Sequence, residues 1–225
     1  MTQPEHAGAF IAIEGGDGSG KSRQVALLEE RWQHLFPGVV PAFTKEPGGG
    51  SPYSLKIRKL ALEDEGAATA DPGALFGLML ASRFEHLGSF VLPHLSEGHA
   101  VISDRFEAAT YAYQVVGQQA EYLRGLYHEH RQAIRMRLGA HAPHIILLDV
   151  DPETALARLA SRKEAQGDQN HFDLRPLSFH EAVRNGLKEY ASVIEPMTIT
   201  IDGNPPVEEV HASVVAAVRS ILEAA

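Results

Sequence analysis

The stretch Gly15-Gly16-Asp17-Gly18-Ser19-Gly20-Lys21-Ser22 decides the fold. It fits the phosphate-binding loop pattern of a glycine, four residues, a second glycine, a lysine and then serine or threonine. Glycines let the backbone amides curl inward around a polyphosphate, the lysine brings a mobile charge to the β and γ oxygens, and the serine hydroxyl can ligate Mg²⁺. We therefore predict that residues 15–22 bind the phosphates of a nucleotide.

The segments on either side of this loop support the motif. Phe10-Ile11-Ala12-Ile13-Glu14 precedes it as a short buried strand, and residues 23–32 follow with apolar side chains at helical spacing. A helix that begins at the loop adds unpaired N–H groups and the positive end of its dipole to an anion site. The order of strand, loop and helix is the context that such a motif requires.

Length and composition exclude several classes of protein. The chain has 225 residues, which suits one α/β domain or at most two small ones, and its net charge of −9 argues against a protein that coats nucleic acid. It has no cysteine, which excludes disulfides and thiolate chemistry and is compatible with a reducing cytosol. Residues 1–8 lack a signal-peptide pattern, and no apolar run approaches the length of a membrane span. We expect a cytoplasmic protein without nucleic-acid or membrane partners.

The twelve histidines include a pair that invites a metal hypothesis. His128 and His130 are two residues apart, so on a helix they point to different faces. We therefore favour a solvated helix face at this position over a metal site.

Apolar strands alternate with helices along the chain. Besides the first strand, we predict strands at residues 39–44, 100–104, 144–150 and 197–201. The predicted helices cover residues 22–36, 55–62, 71–95, 108–116, 121–138, 152–159, 178–194 and 207–222. This alternation predicts a parallel sheet with helices on both faces, and ligands at the carboxyl ends of its strands.

Particular residues sharpen these boundaries. Pro41 indicates an irregular or edge strand, Asp71-Pro72 predicts a capped helix start, and Pro93 should kink or end the helix that follows. The polar residues 162–176 predict a mobile segment, and Ser178-Phe179-His180-Glu181 fits a capping box that opens the next helix.

Three further features follow predicted strands. They are Glu46-Pro47-Gly48-Gly49 after the second strand, Asp104-Arg105 after the third and the arginine-bearing segment after the fourth. Around a phosphate loop, such groups suggest phosphoryl transfer to a second bound substrate, which depends on charge neutralisation and in-line positioning.

With these features, the chain resembles the thymidylate kinase family. Five segments carry the resemblance: residues 13–22, Thr44-Lys45-Glu46-Pro47-Gly48-Gly49, residues 102–106 with Ala112-Tyr113-Gln114, residues 147–152 and residues 179–184. The resemblance implies a three-layer α/β/α P-loop NTPase fold, a single domain over residues 1–225 and a lid at about 162–176. It also implies phosphorylation of dTMP to dTDP with ATP and Mg²⁺, a step of dTTP biosynthesis, and a homodimer formed through helices beside the sheet.

The resemblance implies a role for each residue that matches the family pattern. At the sugar, Asp17 would accept a hydrogen bond from the 3′-hydroxyl, and Tyr113 would exclude a 2′-hydroxyl. Arg58 and Arg105 would bind the acceptor phosphate. For the base, Arg83, Thr110 and Gln114 would read the thymine edge, and Glu46, Pro47 and Met79 would complete the substrate site. The residues implied in metal binding are Ser22 and Asp104. The residues implied in catalysis are Lys21, Asp104, Arg105 and an arginine of the lid, for which Arg162 is our choice and Arg158 and Arg175 are alternatives.

Some of these residues have a purely structural role as the alternative hypothesis. Arg58 and Arg83 could be solvated helix arginines, and Tyr113 could be a core side chain. Asp104 could orient Arg105 or form a structural ion pair instead of serving the metal.

The sequence departs from the family pattern at three places. Met79 stands where an aromatic residue usually stacks on thymine, and Phe76 one turn earlier could compensate. Lys45 replaces the usual arginine before Glu-Pro-Gly-Gly, and Asn170-His171 replaces an Asp-Arg pair in the lid. These departures keep two alternatives open: a kinase of deoxynucleosides or other deoxynucleotides, with Glu46 as the base for a 5′-hydroxyl, and a nucleotide-binding regulator with little turnover.

Overall fold

A computed structural model of the protein describes residues 8–166 and 170–224, without the side chains of residues 162–166. Five described strands form one parallel sheet in the order β2-β3-β1-β4-β5. The strands are β1 (Phe10–Gly15), β2 (Pro41–Lys45), β3 (Ala100–Asp104), β4 (His144–Asp149) and β5 (Ile199–Asp202). Pro41 begins an edge strand, as the sequence predicts, because proline cannot donate to a central ladder.

Helices cover both faces of this sheet. They are α1 (Lys21–Leu35), α2 (Pro52–Leu62), α3 (Pro72–His86), α4 (Leu92–Ser96), α5 (Glu107–Thr110), α6 (Arg124–Leu138), α7 (Pro152–Gln166), α8 (Leu177–Glu189) and α9 (Val207–Ala224). Short 3₁₀ turns lie at Glu65–Thr69 and Glu121–Leu123, and π-helical turns lie at Leu87–Val91, Tyr111–Gly117 and Tyr190–Ile194.

The central strand shows how the layers are built. Phe10 and Ala12 of β1 point into a core shared with α3, α6 and α8, whereas Ile11 and Ile13 point into a core shared with α1 and α9. Every residue of β1 is buried, because the alternating side chains of a parallel strand meet helices on both sides. The predicted three-layer α/β/α fold is confirmed.

The long helical stretch Pro72–Ser96 shows both local features predicted for it, a capped start at Asp71 and an interruption near Pro93. Asp71 caps α3 by accepting the N–H of Gly73 at 2.7 Å. The helix changes to the π pattern at Leu87–Val91, just before Pro93, whose missing N–H interrupts the α-helical ladder. These 25 residues are long and apolar enough to cross a membrane, contrary to our reading of the sequence, although core helices of soluble proteins have the same properties.

Other local predictions were wrong. Helix α7 continues to Gln166 instead of ending near residue 159, because Lys, Glu and Gln are good helix formers as well as polar residues. Ser178 forms no capping box in the described structure: α8 begins one residue earlier, after Pro176, and no described side chain caps it. His130 is buried rather than solvated, and burial lowers its pKa to about 3, which keeps the ring neutral.

Candidate active site

A cavity of about 350 Å³ lies where the phosphate loop meets the carboxyl ends of β2 and β3. Its lining includes Lys21 and Ser22 of the loop helix and Asp104 of β3. All the predicted substrate residues line it as well: Asp17, Glu46, Pro47, Arg58, Met79, Arg83, Arg105, Thr110, Tyr113 and Gln114. Segments that are distant in sequence therefore meet in one space of the size that ligand sites have.

The phosphate loop follows β1 and passes directly into α1. Gly20, at the N-cap of α1, has a φ of 87°, and Gly18 has a φ of 77°. A Cβ on Gly18 would lie 2.2 Å from the carbonyl oxygen of Ala155, so the loop needs glycine there for space as well as for conformation. Lys21 Nζ donates to the Gly16 carbonyl at 3.1 Å, which holds the ammonium across the loop.

The electrostatic environment of the Lys21 ammonium favours the binding of an anion. Burial and the positive charge of Arg105 lower the pKa of Lys21, the carboxylates of Asp17, Asp104 and Glu14 oppose them, and the net pKa is about 8. A polyphosphate would supply the negative charge that the buried amine lacks, and would favour its protonated form.

Asp17, Arg105 and Tyr113 form a connected cluster on the cavity wall. The Arg105 guanidinium pairs with Asp17 Oδ1 and donates to the Gly15 carbonyl at 2.9 Å. The Tyr113 hydroxyl donates to Asp17 Oδ2 at 2.8 Å and accepts the Asp17 N–H at 2.9 Å. Burial raises the pKa of Asp17, but Arg105, Lys21 and Tyr113 outweigh it, so the net pKa lies below its usual value. Tyr113 thus belongs to the core while its hydroxyl faces the site.

Arg105 reaches this cluster through an unusual backbone conformation. Its φ is 72°, in the left-handed region that non-glycine residues rarely adopt. Its N–H donates to the Ile13 carbonyl at 3.0 Å, which ties the residue after β3 to β1. Strained residues of this kind concentrate at functional sites.

Arg83 and Glu46 form a buried ion pair at the far side of the cavity. Arg83 Nε donates to Glu46 Oε2 at 2.8 Å, while its Nη2 donates to the Phe106 carbonyl at 2.9 Å and to Thr110 Oγ1 at 2.8 Å. Arg83 is 2% exposed, so the alternative of a solvated helix arginine is wrong for this residue. The network fixes the guanidinium plane of this α3 side chain through the loop after β2 and through α5 and its N-cap residue.

His86, which we did not single out in the sequence, completes this network. Its Nδ1 lies 2.8 Å from Glu46 Oε1, and its Nε2 lies 2.7 Å from Thr44 Oγ1. Burial raises the pKa of Glu46, but Arg83 and His86 lower it more, so the net pKa is below the usual value. Glu46 is therefore held as a carboxylate with both oxygens engaged.

Arg58 lies beside the loop that follows β2. Its Nη1 donates to the Pro47 carbonyl at 3.0 Å, and it is half-buried instead of solvated. A Cβ on Gly48, where φ is 99°, would lie 2.7 Å from Arg58 Cδ. The Glu-Pro-Gly-Gly sequence thus lets this backbone pass close to an arginine stem.

The aromatic side chains that line the cavity differ from our expectation. Met79 lines the cavity, but Phe76 is buried in the core and does not, so Phe76 cannot compensate for the missing aromatic face. Phe172 and Phe106 line the cavity instead, and Phe172 packs edge-on against Tyr113 with ring centroids 5.4 Å apart. We assigned neither of them a role from the sequence, although Phe106 belongs to residues 102–106 of the family resemblance, because their approach to the cavity depends on tertiary packing.

Two of the three candidate lid arginines, Arg158 and Arg175, have described side chains, and neither lines the cavity. Arg158 donates to the carbonyls of Gly203 and Asn204 at 3.0 and 3.1 Å, and Arg175 is exposed, with its guanidinium 5.7 Å from the Phe179 ring centroid. The side chain of Arg162 lies outside the described residues. His171 lies 3.2 Å from the Ala61 carbonyl and does not line the cavity.

Oxygen ligands for a divalent cation are present at the loop end of the cavity. Ser22 is exposed there, and Asp104 Oδ1 is buried without a hydrogen-bond partner in the described part of the chain. A hydroxyl and a free carboxylate oxygen fit the hard-oxygen chemistry of Mg²⁺, which keeps several waters and bridges to phosphates. Asp104 therefore fits a metal–water shell better than a structural ion pair.

The fold and this loop define a P-loop nucleotide-binding protein of the α/β class. A family model described as "Thymidylate kinase" matches residues 13–214. Thymidylate kinases from Magnetococcus marinus and Dinoroseobacter shibae are 38% and 37% identical, covering 92% and 96% of this chain and 93% and 97% of theirs. A crystal structure of thymidylate kinase from Ehrlichia chaffeensis aligns with a TM-score of 0.69 at 25% identity, covering 95% of this chain and 99% of that one. The chain belongs to the thymidylate kinase family, which confirms the resemblance inferred from the sequence.

Proposed function

We propose that this protein transfers the γ-phosphoryl group of ATP to dTMP and releases dTDP and ADP. The observation that carries the proposal is the cavity that joins the phosphate loop to the arginine-rich wall formed by Arg58, Arg83 and Arg105. A phosphate donor on Lys21 and an acceptor held by these arginines would face each other across that space. Membership of the thymidylate kinase family gives the acceptor its identity.

The acceptor phosphate would lie between Arg58 and Arg105. Both arginines line the cavity, and bidentate donors suit a phosphate better than point charges. Asp17 would accept the 3′-hydroxyl in place of the Tyr113 hydroxyl that it accepts in this structure. The Tyr113 ring would then crowd the sugar C2′ and select against ribonucleotides.

The base would lie beside Met79 with its polar edge towards Arg83 and Gln114. Arg83 is held by Glu46 and Thr110, so its direction is set before substrate arrives. Preorganised donors lose little entropy on binding. Glu46 and Pro47 would support this part of the site by fixing Arg83 and Arg58.

At the donor end, Lys21 would hold the β and γ oxygens, and Ser22 with Asp104 would hold Mg²⁺. The bound ion supplies neutralisation of the charge on those oxygens. Arg105, which donates to the Gly15 carbonyl at 2.9 Å and follows Asp104 in sequence, would stabilise charge between donor and acceptor. An arginine of the lid would add to this, and Arg162 stays our choice.

A nucleoside acceptor is disfavoured by the state of Glu46. A kinase of deoxynucleosides needs a base near the 5′-hydroxyl, and Glu46 was the candidate. Its oxygens bond to Arg83 and His86, and its pKa is lowered, so it is a weak base.

We also propose a single domain with a lid formed by residues 162–176, Mg²⁺ dependence, a cytoplasmic location and a homodimer. Exposed apolar side chains on the helices beside the sheet, Phe84 on α3 and Leu126 and Met136 on α6, support the homodimer. Molar mass measured by light scattering tests it, and a monomeric mass at micromolar concentration would contradict it.

A coupled assay of ADP release tests the proposed reaction. The acceptors are dTMP, dUMP, dCMP, dGMP and thymidine, each with and without Mg²⁺. We expect dTMP to give the highest kcat/KM and thymidine to give no turnover. Lys21→Ala should fold normally and lose about 3–5 kcal/mol of transition-state stabilisation, as other charge clamps do. Near-normal turnover in folded Lys21→Ala would contradict phosphotransfer at this loop.

A further inference from the structure

Glu14 makes an unusual set of contacts at the end of β1. It directly precedes the phosphate loop and is 0% exposed. Its Oε1 accepts the backbone N–H groups of Phe106, Ala108 and Ala109, at 2.8, 3.0 and 3.4 Å. A single carboxylate oxygen thus binds three amides that lie more than ninety residues away in the sequence.

These amides open the helical segment that carries the acceptor side of the site. Helix α5 and the π-helical turn after it bear Thr110, Tyr113 and Gln114. The first N–H groups of a helix have no partner within the helix, and Phe106, at its N-cap position, supplies no side-chain bond in the described structure. Glu14 takes the place of the cap from another element.

The same contacts fix Arg105. This residue immediately precedes the amides that Glu14 binds, and its backbone has the left-handed φ of 72°. Its side chain returns to the Gly15 carbonyl, one residue after Glu14. Glu14 therefore links the start of the phosphate loop to the turn that carries Arg105, in addition to the hydrogen bonds that Arg105 itself makes with Ile13 and Gly15.

We propose that Glu14 is a positioning residue that holds the Arg105 turn against the phosphate loop and so sets the affinity for the acceptor monophosphate. It acts through Arg105 and the start of α5 and does not line the cavity. This role rests on the proposed function, in which Arg105 binds the phosphate of dTMP.

The cost of placing a carboxylate here supports a positioning role. Oε2 of Glu14 is buried and has no hydrogen-bond partner within the described residues. Burial raises the pKa of Glu14 to about 7, although Arg105, Arg83 and the Phe106 and Ala109 amides oppose that shift. Burial of such a group is unfavourable for stability, and proteins retain such local conflicts mainly where function needs them.

Three variants separate positioning from simple stability. Glu14→Ala removes the acceptor of the three amides, whereas Glu14→Gln keeps an oxygen that can accept them. The matched control is Glu107→Gln, because Glu107 is also 0% exposed and begins the same helix. Its partners Arg135 and Tyr190, at 2.8 Å each, do not line the cavity.

Three measurements are made on each variant, the first of which is the free energy of unfolding in urea titrations. Hydrogen exchange of the amides in residues 105–109 reports the turn, and calorimetry reports binding of dTMP and of a non-hydrolysable ATP analogue. For Glu14→Ala we expect loss of amide protection, dTMP binding weaker by about tenfold or more, and ATP-analogue binding changed by less than about twofold. Glu14→Gln should keep amide protection and dTMP binding within about threefold of the wild-type values. Glu107→Gln should lower stability without a selective loss of dTMP binding.

Unchanged amide protection in Glu14→Ala, or equal weakening of both ligands, would overturn the proposal. If Glu14→Ala does not fold, Glu14→Asp decides, since its shorter stem cannot reach all three amides: selective loss of dTMP binding supports positioning, and its absence contradicts it. The proposed function can fail separately, because wild-type protein that binds both ligands but releases no ADP contradicts phosphotransfer while the binding comparison still decides the role of Glu14.

Discussion

Raising the pH should weaken ATP binding, because Lys21 loses its proton. Burial and the charge of Arg105 bring the pKa of this buried amine in the free protein to about 8. The protonated amine attracts the β and γ phosphates and the neutral amine does not, so bound phosphate raises the pKa again. ATP binding should therefore take up a proton between about pH 8 and 10.

The magnitude follows from that pKa. At pH 7 roughly ten lysines in eleven are charged, and at pH 9 roughly one in eleven. The observed dissociation constant for ATP should rise about tenfold between pH 7 and 9, which is about 1.4 kcal/mol. Stability should move in the opposite direction, because the folded pKa lies below the usual 10.5, so the unfolded chain binds more protons between about pH 8 and 10.5. This contribution of Lys21 to the free energy of unfolding therefore increases with pH across that window.

Calorimetry in two buffers with different ionisation enthalpies measures the proton taken up. The control is Lys21→Arg, since a guanidinium stays charged through this range. The variant should show no proton uptake and a flat pH dependence of ATP affinity, whatever its absolute affinity. Equal pH dependence in wild type and Lys21→Arg would refute the assignment of the buried titrating group to Lys21.

Three further changes test the acceptor side. Glu46→Gln should lower the free energy of unfolding by about 3–5 kcal/mol in urea titrations, because it leaves Arg83 buried without its carboxylate, and a loss under about 1 kcal/mol would contradict that account. Tyr113→Ala should narrow the kcat/KM preference for dTMP over ribosylthymine monophosphate, since the steric barrier disappears, whereas an unchanged ratio would make the ring a core side chain only. Met79→Phe should lower the KM for dTMP by the equivalent of about 0.5–1.5 kcal/mol with the KM for ATP unchanged. Weaker dTMP binding with a lower melting temperature would instead show an overpacked pocket.

The sequence predicted those features that local patterns encode. The phosphate loop, the alternation of strands and helices and the cap at Asp71 depend on neighbouring residues; the loop and the cap were confirmed in position, and the alternation was confirmed in order, with bounds that differ by a few residues. Boundaries were less certain where two local signals competed, as at Gln166, where polarity suggested a loop and helix propensity prevailed.

Contacts between distant segments could not be predicted in this way. Nothing near Glu14 indicates that it binds amides 92 residues later, and nothing near His86 indicates a bond to Glu46. The family pattern named Arg83 as a substrate residue but not its burial or its partners, since those depend on how α3 lies against the loop after β2 and against α5. Side chains that support a site are therefore the hardest part of it to read from one sequence.

The pairing of Arg105 with Asp17 has a consequence for how the site responds to salt. In the free protein each of these charges already has a counterion within the fold. An incoming phosphate would replace Asp17 as the partner of Arg105, while Asp17 turns to a sugar hydroxyl, so substrate binding is an exchange of partners instead of the neutralisation of an isolated cation. Added salt screens the old pair and the new one alike. The ionic-strength dependence of dTMP binding should thus be shallower than the number of arginines in the cavity suggests.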